Sequence, residues 1–246
     1  MSEQNIKLFS ENQVIGHRGA AALAPENTLA GFNKAYELGC RFIEFDVMLN
    51  ADGDAFVFHD TSFKRTTNGR GEVGLASTDY LQSLDAGKWF SKRFTGERIP
   101  TLHLALDWLT DNQMQANIEI KPYPGFVEQT TISVLMHINR YWPSEKSLPL
   151  VSSFNFDALT LCHRLSPEMP LGLLLEQWRD DWLSLARSIE CVSVHLAIRD
   201  ATKARIQDIK QQGFAVCVYT VNRKRLAQKL FNWSVDAVFS DYPDLL

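Results

Sequence analysis

The chain has 246 residues, 45% of them hydrophobic and 22% charged, a composition that excludes disordered and fibrous proteins. Its net charge of −4 argues against a nucleic-acid-binding face, which needs clustered Lys and Arg. An anionic substrate is still compatible, because a metal ion and one or two cationic side chains can reverse the local field. Cys40, Cys162, Cys191 and Cys217 are far apart, show no zinc-type spacing and read as reduced, buried thiols. The opening MSEQNIKLFSENQ lacks the basic and apolar regions of a signal peptide, and no apolar run approaches the ~20 residues of a membrane span. A cytoplasmic protein without stable membrane insertion is expected.

In chain order, short apolar runs rich in β-branched residues predict strands over 14–16, 42–49, 55–59, 117–121, 148–154, 171–176, 191–197, 215–221 and 237–241. Helical periodicity predicts helices over 27–38, 102–112, 125–141, 155–165, 182–188, 202–212 and 223–233. Pro25 and Asn27 punctuate the first strand-to-helix connection, and Gly39 and Gly213 follow helical patterns as C-terminal caps do. Near-continuous apolar strands interleaved with amphipathic helices indicate a parallel sheet covered by helices. About eight such units in roughly 250 residues match an α/β TIM (β/α)8 barrel. An open doubly wound sheet is disfavoured, since no GxGxxG or GxxxxGK[ST] loop follows the first strand. Residues 61–100 break the alternation with a polar, turn-rich stretch, far longer than the ~2–6 residues of a usual βα loop. They read as an insertion beside the barrel mouth, able to supply part of the substrate pocket, within one domain spanning 1–246.

Residues two apart on a strand share a face, so Glu44 and Asp46 project together, as do Glu119 and Lys121. Alternate acids can simply mark the solvent face of an edge strand. Here the neighbours Phe42, Ile43, Phe45, Val47, Ile118 and Ile120 are apolar, which makes the strands interior and unpaired carboxylates costly. Three carboxylates without a Cys favour a hard divalent cation, Mg²⁺ or Ca²⁺, over Zn²⁺. Such an ion would bridge phosphate oxygens, with Lys121 as a second positive charge. His17 and His59 each follow a short apolar run at a presumed strand C-terminus, beside Arg18 and Asp60. With an ordinary pKa near 6.5, imidazoles can supply the base and acid of a displacement at phosphorus. Gly19 would let backbone and ligand approach closely. His103, His137, His163 and His195 read as structural, while Phe154, Tyr219 and Trp89 are candidate pocket walls. No GxSxG elbow supports a serine hydrolase.

Taken together the residues resemble the glycerophosphodiester phosphodiesterase family. The resemblance runs through His17-Arg18-Gly19, Pro25-Glu26-Asn27-Thr28, Glu44-x-Asp46-Val47, Asp52-Gly53, His59-Asp60, Leu84-Asp85-Ala86-Gly87, Ile99-Pro100-Thr101-Leu102, Glu119-Ile120-Lys121-Pro122 and Ser240-Asp241-Tyr242-Pro243. It implies a TIM barrel with a segment inserted after the second strand. By that match Glu44, Asp46 and Glu119 are metal ligands, His17 and His59 the acid–base pair, and Arg18 and Lys121 the phosphate holders. The implied partner is a small-molecule glycerophosphodiester, hydrolysed to sn-glycerol 3-phosphate and an alcohol with one divalent cation, Mg²⁺ slightly favoured. Attack by the neighbouring glycerol hydroxyl, through a cyclic phosphate, and direct attack by water both stay open, as does the order in which the histidines act. Two departures bear on pocket shape: His103-Leu104 stands where the family often has Glu, and Tyr219 where it often has Trp. A lipid-directed relative on the same barrel would need an apolar rim, with Trp89-Phe90 and Trp178 as candidates but no basic amphipathic segment beside them. A phosphate-binding module without catalysis is disfavoured, because His17, Glu44, Asp46, His59 and Glu119 are all retained. Head-group preference and oligomeric state are written in no motif.

Overall fold

Strand–helix alternation closes the chain into a barrel in the computed structural model, which describes Phe9 and residues 13–245. The first elements are β1 (Val14–Gly16), α1 (Leu29–Glu37), β2 (Phe42–Leu49), β3 (Ala55–Val57) and α2 (Thr78–Ser83). Then come α3 (Leu102–Asp111), β4 (Gln115–Ile120), α4 (Val127–Tyr141), β5 (Leu150–Ser153), α5 (Phe156–Leu165) and β6 (Leu171–Leu175). The last are α6 (Trp182–Ser188), β7 (Ser193–Ala197), α7 (Lys203–Gln211), β8 (Ala215–Tyr219), α8 (Lys224–Phe231) and β9 (Ala237–Ser240). Strand β1 pairs in parallel with β2 at Gly16↔Ile43 and with β9 at Gly16↔Ser240, which joins the two ends of the sheet. The eight parallel strands therefore form a TIM barrel, as the alternation predicts.

One predicted strand behaves differently. Residues 55–59 were expected in the parallel sheet, yet β3 runs antiparallel to the far end of β2, with Val47↔Val57 and Leu49↔Ala55 paired. The reason is the connection: a parallel crossover takes a dozen or more residues, and only Asn50–Asp54 lies between the two strands. The turn is a hairpin, with Gly53 at φ +84° and the Asn50 side-chain oxygen accepting from the N–H of Asp52 and Asp54. Strand β3 thus lies outside the barrel.

Alternation along the barrel strands divides the work between two faces. Ile43, Phe45, Val47, Val151, Val194 and Val216 point outward and are buried against the helices. Burial of each such side chain is worth ~1.5–3 kcal/mol, so this layer carries the fold and leaves the inner face free for polar groups. At the N-terminal end of the strands the interior is plugged by Ile15, Phe42, Leu150, Ala215 and Ala237, with the Phe9 ring stacked 6.2 Å from Phe42. The helices begin where capping residues dictate: Thr28, Thr101, Asn155 and Thr202 accept backbone N–H groups three residues on. Gly39 and Gly213 follow α1 and α7 with φ of +85° and +90°, the conformation that ends a helix most easily in glycine.

Residues 61–100 hold α2 and short 3₁₀ turns at Val73–Leu75 and Lys92–Phe94. They are not merely polar. Phe63, Val73, Leu81, Leu84 and Ile99 pack on Met48, Phe56 and Phe58 from the β2–β3 hairpin to make a second small core. The Val57 N–H donates to Pro100 at 2.9 Å, returning the chain to the barrel. Among the described residues no helix is long and apolar enough to cross a membrane.

Candidate active site

The loop after β1 supplies the first half of the site. Arg18 and Asn27 take left-handed φ values of +50° and +56°, uncommon for residues with a side chain. The strain is matched by direct ties: the Arg18 N–H donates to Glu44 at 3.0 Å, the Asn27 N–H to the Arg18 carbonyl at 3.1 Å, and the Asn27 amide to Asp46 at 2.8 Å. Gly19, at φ +87°, admits a close approach of backbone to backbone. A Cβ there would lie 2.7 Å from the Gly31 carbonyl carbon, so it is the backbone of α1 that needs the space.

Strand register assembles the acids. Glu44 lies opposite Asn117 and Asp46 opposite Glu119, all inward and buried. One oxygen from each of Glu44, Asp46 and Glu119 lies within 4.8 Å of the others. Lys121 Nζ is 3.6 Å from Asp46 and 3.9 Å from Glu119. Burial and the negative charge of Asp46 push the carboxyl groups of Glu44 and Glu119 well above their usual range. Burial also opposes ionisation of Asp46, yet Arg18 and Lys121 outweigh it and hold that group at about 2. Two fixed cations therefore do not satisfy three clustered carboxylates, and Glu119 Oε1 is buried with no hydrogen-bond partner. An all-oxygen, anionic set of this kind fits a hard divalent cation.

Both histidines stand at the mouth, each held by an acid. His17 Nδ1 is 2.6 Å from Asp241, whose other oxygen accepts from the Asn222 amide at 2.5 Å. His59 Nδ1 is 2.5 Å from Asp60. A carboxylate at Nδ1 keeps the proton there and leaves Nε2 for the cavity. His17 Nε2 lies 4.0 Å from Glu44. Burial lowers the His59 pKa and so favours its neutral form. Burial opposes the charge on Asp60 and Asp241 too, but Arg65 and His59 keep the first ionised and His17 the second. His59 was expected at the C-terminal end of a barrel strand. Instead it follows the outlying β3, which runs back down so that the Phe58 N–H meets the Asp46 carbonyl at 3.0 Å.

A cavity of about 180 Å³ joins these groups. One side is polar, with His17, Arg18, Glu44, His59, Asn117, Glu119 and Lys121, and the other has Phe154, Leu174, Tyr219, Thr220 and Phe239. The rings of Phe154 and Tyr219 meet edge to face at 5.7 Å, and the Tyr219 hydroxyl donates to the Leu175 carbonyl at 2.7 Å. Trp89 is not among the residues lining this cavity, contrary to expectation. Its place is within the insertion, where its indole N–H donates to Ala86 and its ring packs on Phe90. None of residues 61–100 lines the cavity either, so the insertion shapes it only through what it holds.

Several residues that support the site carried no assigned role in the sequence: Glu26, Asn27, Asp60, Arg65, Asn222 and Asp241. Asp60 adjoins His59, Glu26 and Asn27 sit in the Pro25–Thr28 motif and Asp241 in the Ser240–Pro243 motif, so local signals existed for those four. The His17–Asp241 contact spans 224 positions and has no local signal.

The sequence profile described as the glycerophosphoryl diester phosphodiesterase family matches residues 17–245. The chain is 35% identical over 237 residues to a glycerophosphodiester phosphodiesterase of Caldanaerobacter subterraneus subsp. tengcongensis, covering 95% of each. It is 31% identical to one of Bacillus subtilis, covering 94% of this chain and 84% of that one. Among solved structures, an Oleispira antarctica phosphodiesterase in complex with the product sn-glycerol-3-phosphate superposes with a TM-score of 0.93 at 36% identity, covering 97% of this chain and 96% of that one.

Proposed function

The chain belongs to the glycerophosphoryl diester phosphodiesterase family, and from that premise we propose that it hydrolyses small, water-soluble glycerophosphodiesters to sn-glycerol 3-phosphate and an alcohol. One divalent cation, Mg²⁺ in preference to Ca²⁺, is held by Glu44, Asp46 and Glu119. The observation that carries this reading is the meeting of those three acids, His17, His59, Arg18 and Lys121 at one barrel mouth. The reaction belongs to the cytoplasm, and the whole chain serves it as one domain with residues 61–100 inserted.

When bound, the cation would draw phosphate oxygens to the acids and offset charge gained during attack. The chain's own groups do the rest. Lys121 and the N–H groups of Arg18 not engaged by Glu26 and Asp46 face the cavity and bind non-bridging oxygens. One imidazole Nε2 removes a proton from the attacking hydroxyl or water while the other protonates the leaving alcohol oxygen. The Nδ1–carboxylate pairs keep both rings in the orientation this exchange needs, and stabilise whichever becomes imidazolium. The apolar side formed by Phe154, Leu174, Tyr219 and Phe239 suits the carbon skeleton of the glycerol.

The test is release of glycerol 3-phosphate from a panel of glycerophosphodiesters. His17→Ala and His59→Ala should each lose ~10²–10⁴ in kcat. Turnover unchanged in both variants overturns the two-histidine mechanism.

A further inference from the structure

We propose that Arg65, on the insertion and outside the cavity, is a positioning residue that holds Arg18 and His59 in fixed relation to one another; this rests on the hydrolytic reading above. Its guanidinium spans two carboxylates. Nη1 and Nη2 donate to Glu26 at 2.6 and 2.7 Å, and Nε and Nη2 donate to Asp60 at 2.7 and 2.9 Å. Each carboxylate in turn holds a residue that lines the cavity. Glu26 accepts from Arg18 Nη1 at 2.6 Å, and Asp60 lies 2.5 Å from His59 Nδ1. The result is one run, Arg18–Glu26–Arg65–Asp60–His59, in which nitrogen donors and carboxylate acceptors alternate. It links the loop after β1, which carries a phosphate-binding group, to the segment after β3, which carries a proton-transfer group.

An exposed ion pair by itself contributes little, and the Arg65 side chain is 45% exposed. Two features separate this one from that case. The fork is bidentate toward both partners, which fixes direction as well as distance. The partners are sheltered, with the Glu26 side chain only 10% exposed and that of Asp60 25%. Without Arg65, Glu26 would face Arg18 alone and Asp60 would be free to turn away from His59. Only a guanidinium can do this: an ammonium is a point charge and cannot span both carboxylates in one geometry. The residue also explains how an insertion that contributes nothing to the cavity wall can still act on the reaction.

The experiment compares wild type, Arg65→Ala and Arg65→Lys by steady-state kinetics and thermal unfolding. Arg65→Ala should lose roughly 10–100-fold in kcat/KM, the scale for removing an outer-shell orienting group. The loss should divide between a raised KM, from Arg18, and a lowered kcat, from His59, with the unfolding temperature near that of wild type. Arg65→Lys should recover only part. Millimolar guanidinium ion should restore turnover to Arg65→Ala, while sodium chloride of equal ionic strength should not. Wild-type kinetics in Arg65→Ala, or a loss that guanidinium fails to restore, overturns the proposal. A wild-type protein that releases no glycerol 3-phosphate would instead overturn the hydrolytic reading. The bridge is then judged by calorimetric binding of glycerol 3-phosphate, which Arg65→Ala should weaken on the same scale and which, if unchanged, overturns it.

Discussion

His195 makes the acid side of the stability curve predictable. It points into the barrel from β7, fully buried, with Nε2 2.8 Å from the Ser193 hydroxyl and its ring 5.2 Å from Phe239. Burial alone lowers its pKa from 6.5 to about 3, so in the folded protein it stays neutral down to that pH. In the unfolded chain it titrates near 6.5. Between the two values the unfolded state binds the extra proton, so stability rises with pH across that window and is lost as pH falls through it. At about pH 5 the preference of the unfolded chain for the proton is worth about 2 kcal/mol, against almost nothing at about pH 7.5. His195→Gln keeps a polar partner for Ser193 but cannot titrate. The assay is urea unfolding of both proteins at the two pH values. Whatever the replacement itself costs, the stability difference between wild type and variant should move by about 2 kcal/mol in the variant's favour on acidification. A difference that is the same at both pH values would mean that His195 is not held neutral, and would refute the reasoning.

Asp241→Asn should keep the shape of the pair but lose the charged acceptor that orients the His17 ring; kcat should fall on the order of 10²-fold with KM little changed. Steady-state kinetics check this, and wild-type kcat would remove Asp241 from the site. Chelation should abolish turnover and Mg²⁺ should restore it, while Glu119→Gln should need more of the ion for the same effect. Because the ion binds only the folded acid cluster, saturation at about 100 times its dissociation constant should add about 2.7 kcal/mol of stability. Unfolding midpoints identical with and without chelator would show that the three acids hold no cation.

Much of this protein was legible from its sequence because the relevant signals are local. Side-chain alternation is a property of each strand alone, so Glu44 beside Asp46, and Glu119 beside Lys121, could be placed on inner faces before any fold was drawn. The same alternation, broken by helices with ordinary caps, was enough for the eight parallel strands. What failed locally was direction and company. Residues 55–59 carry a strand pattern, but only the five-residue turn Asn50–Asp54 decides that β3 runs antiparallel and lies outside the barrel. Trp89 looked like a pocket wall because it is aromatic and sits in the insertion, yet its packing against Phe90 turns it to other use.

The sequence by itself determined which residues have the chemistry and which face of its own strand each one takes. Tertiary structure alone decided who meets whom. Closing β1 on β9 is what brings Asp241 to His17, and packing the segment after β3 beside the loop after β1 is what brings Glu26 to Arg65. The physical reason is range: alternation and capping act over a few residues, whereas hydrogen-bonded charge pairs form between any groups that the packed barrel makes neighbours.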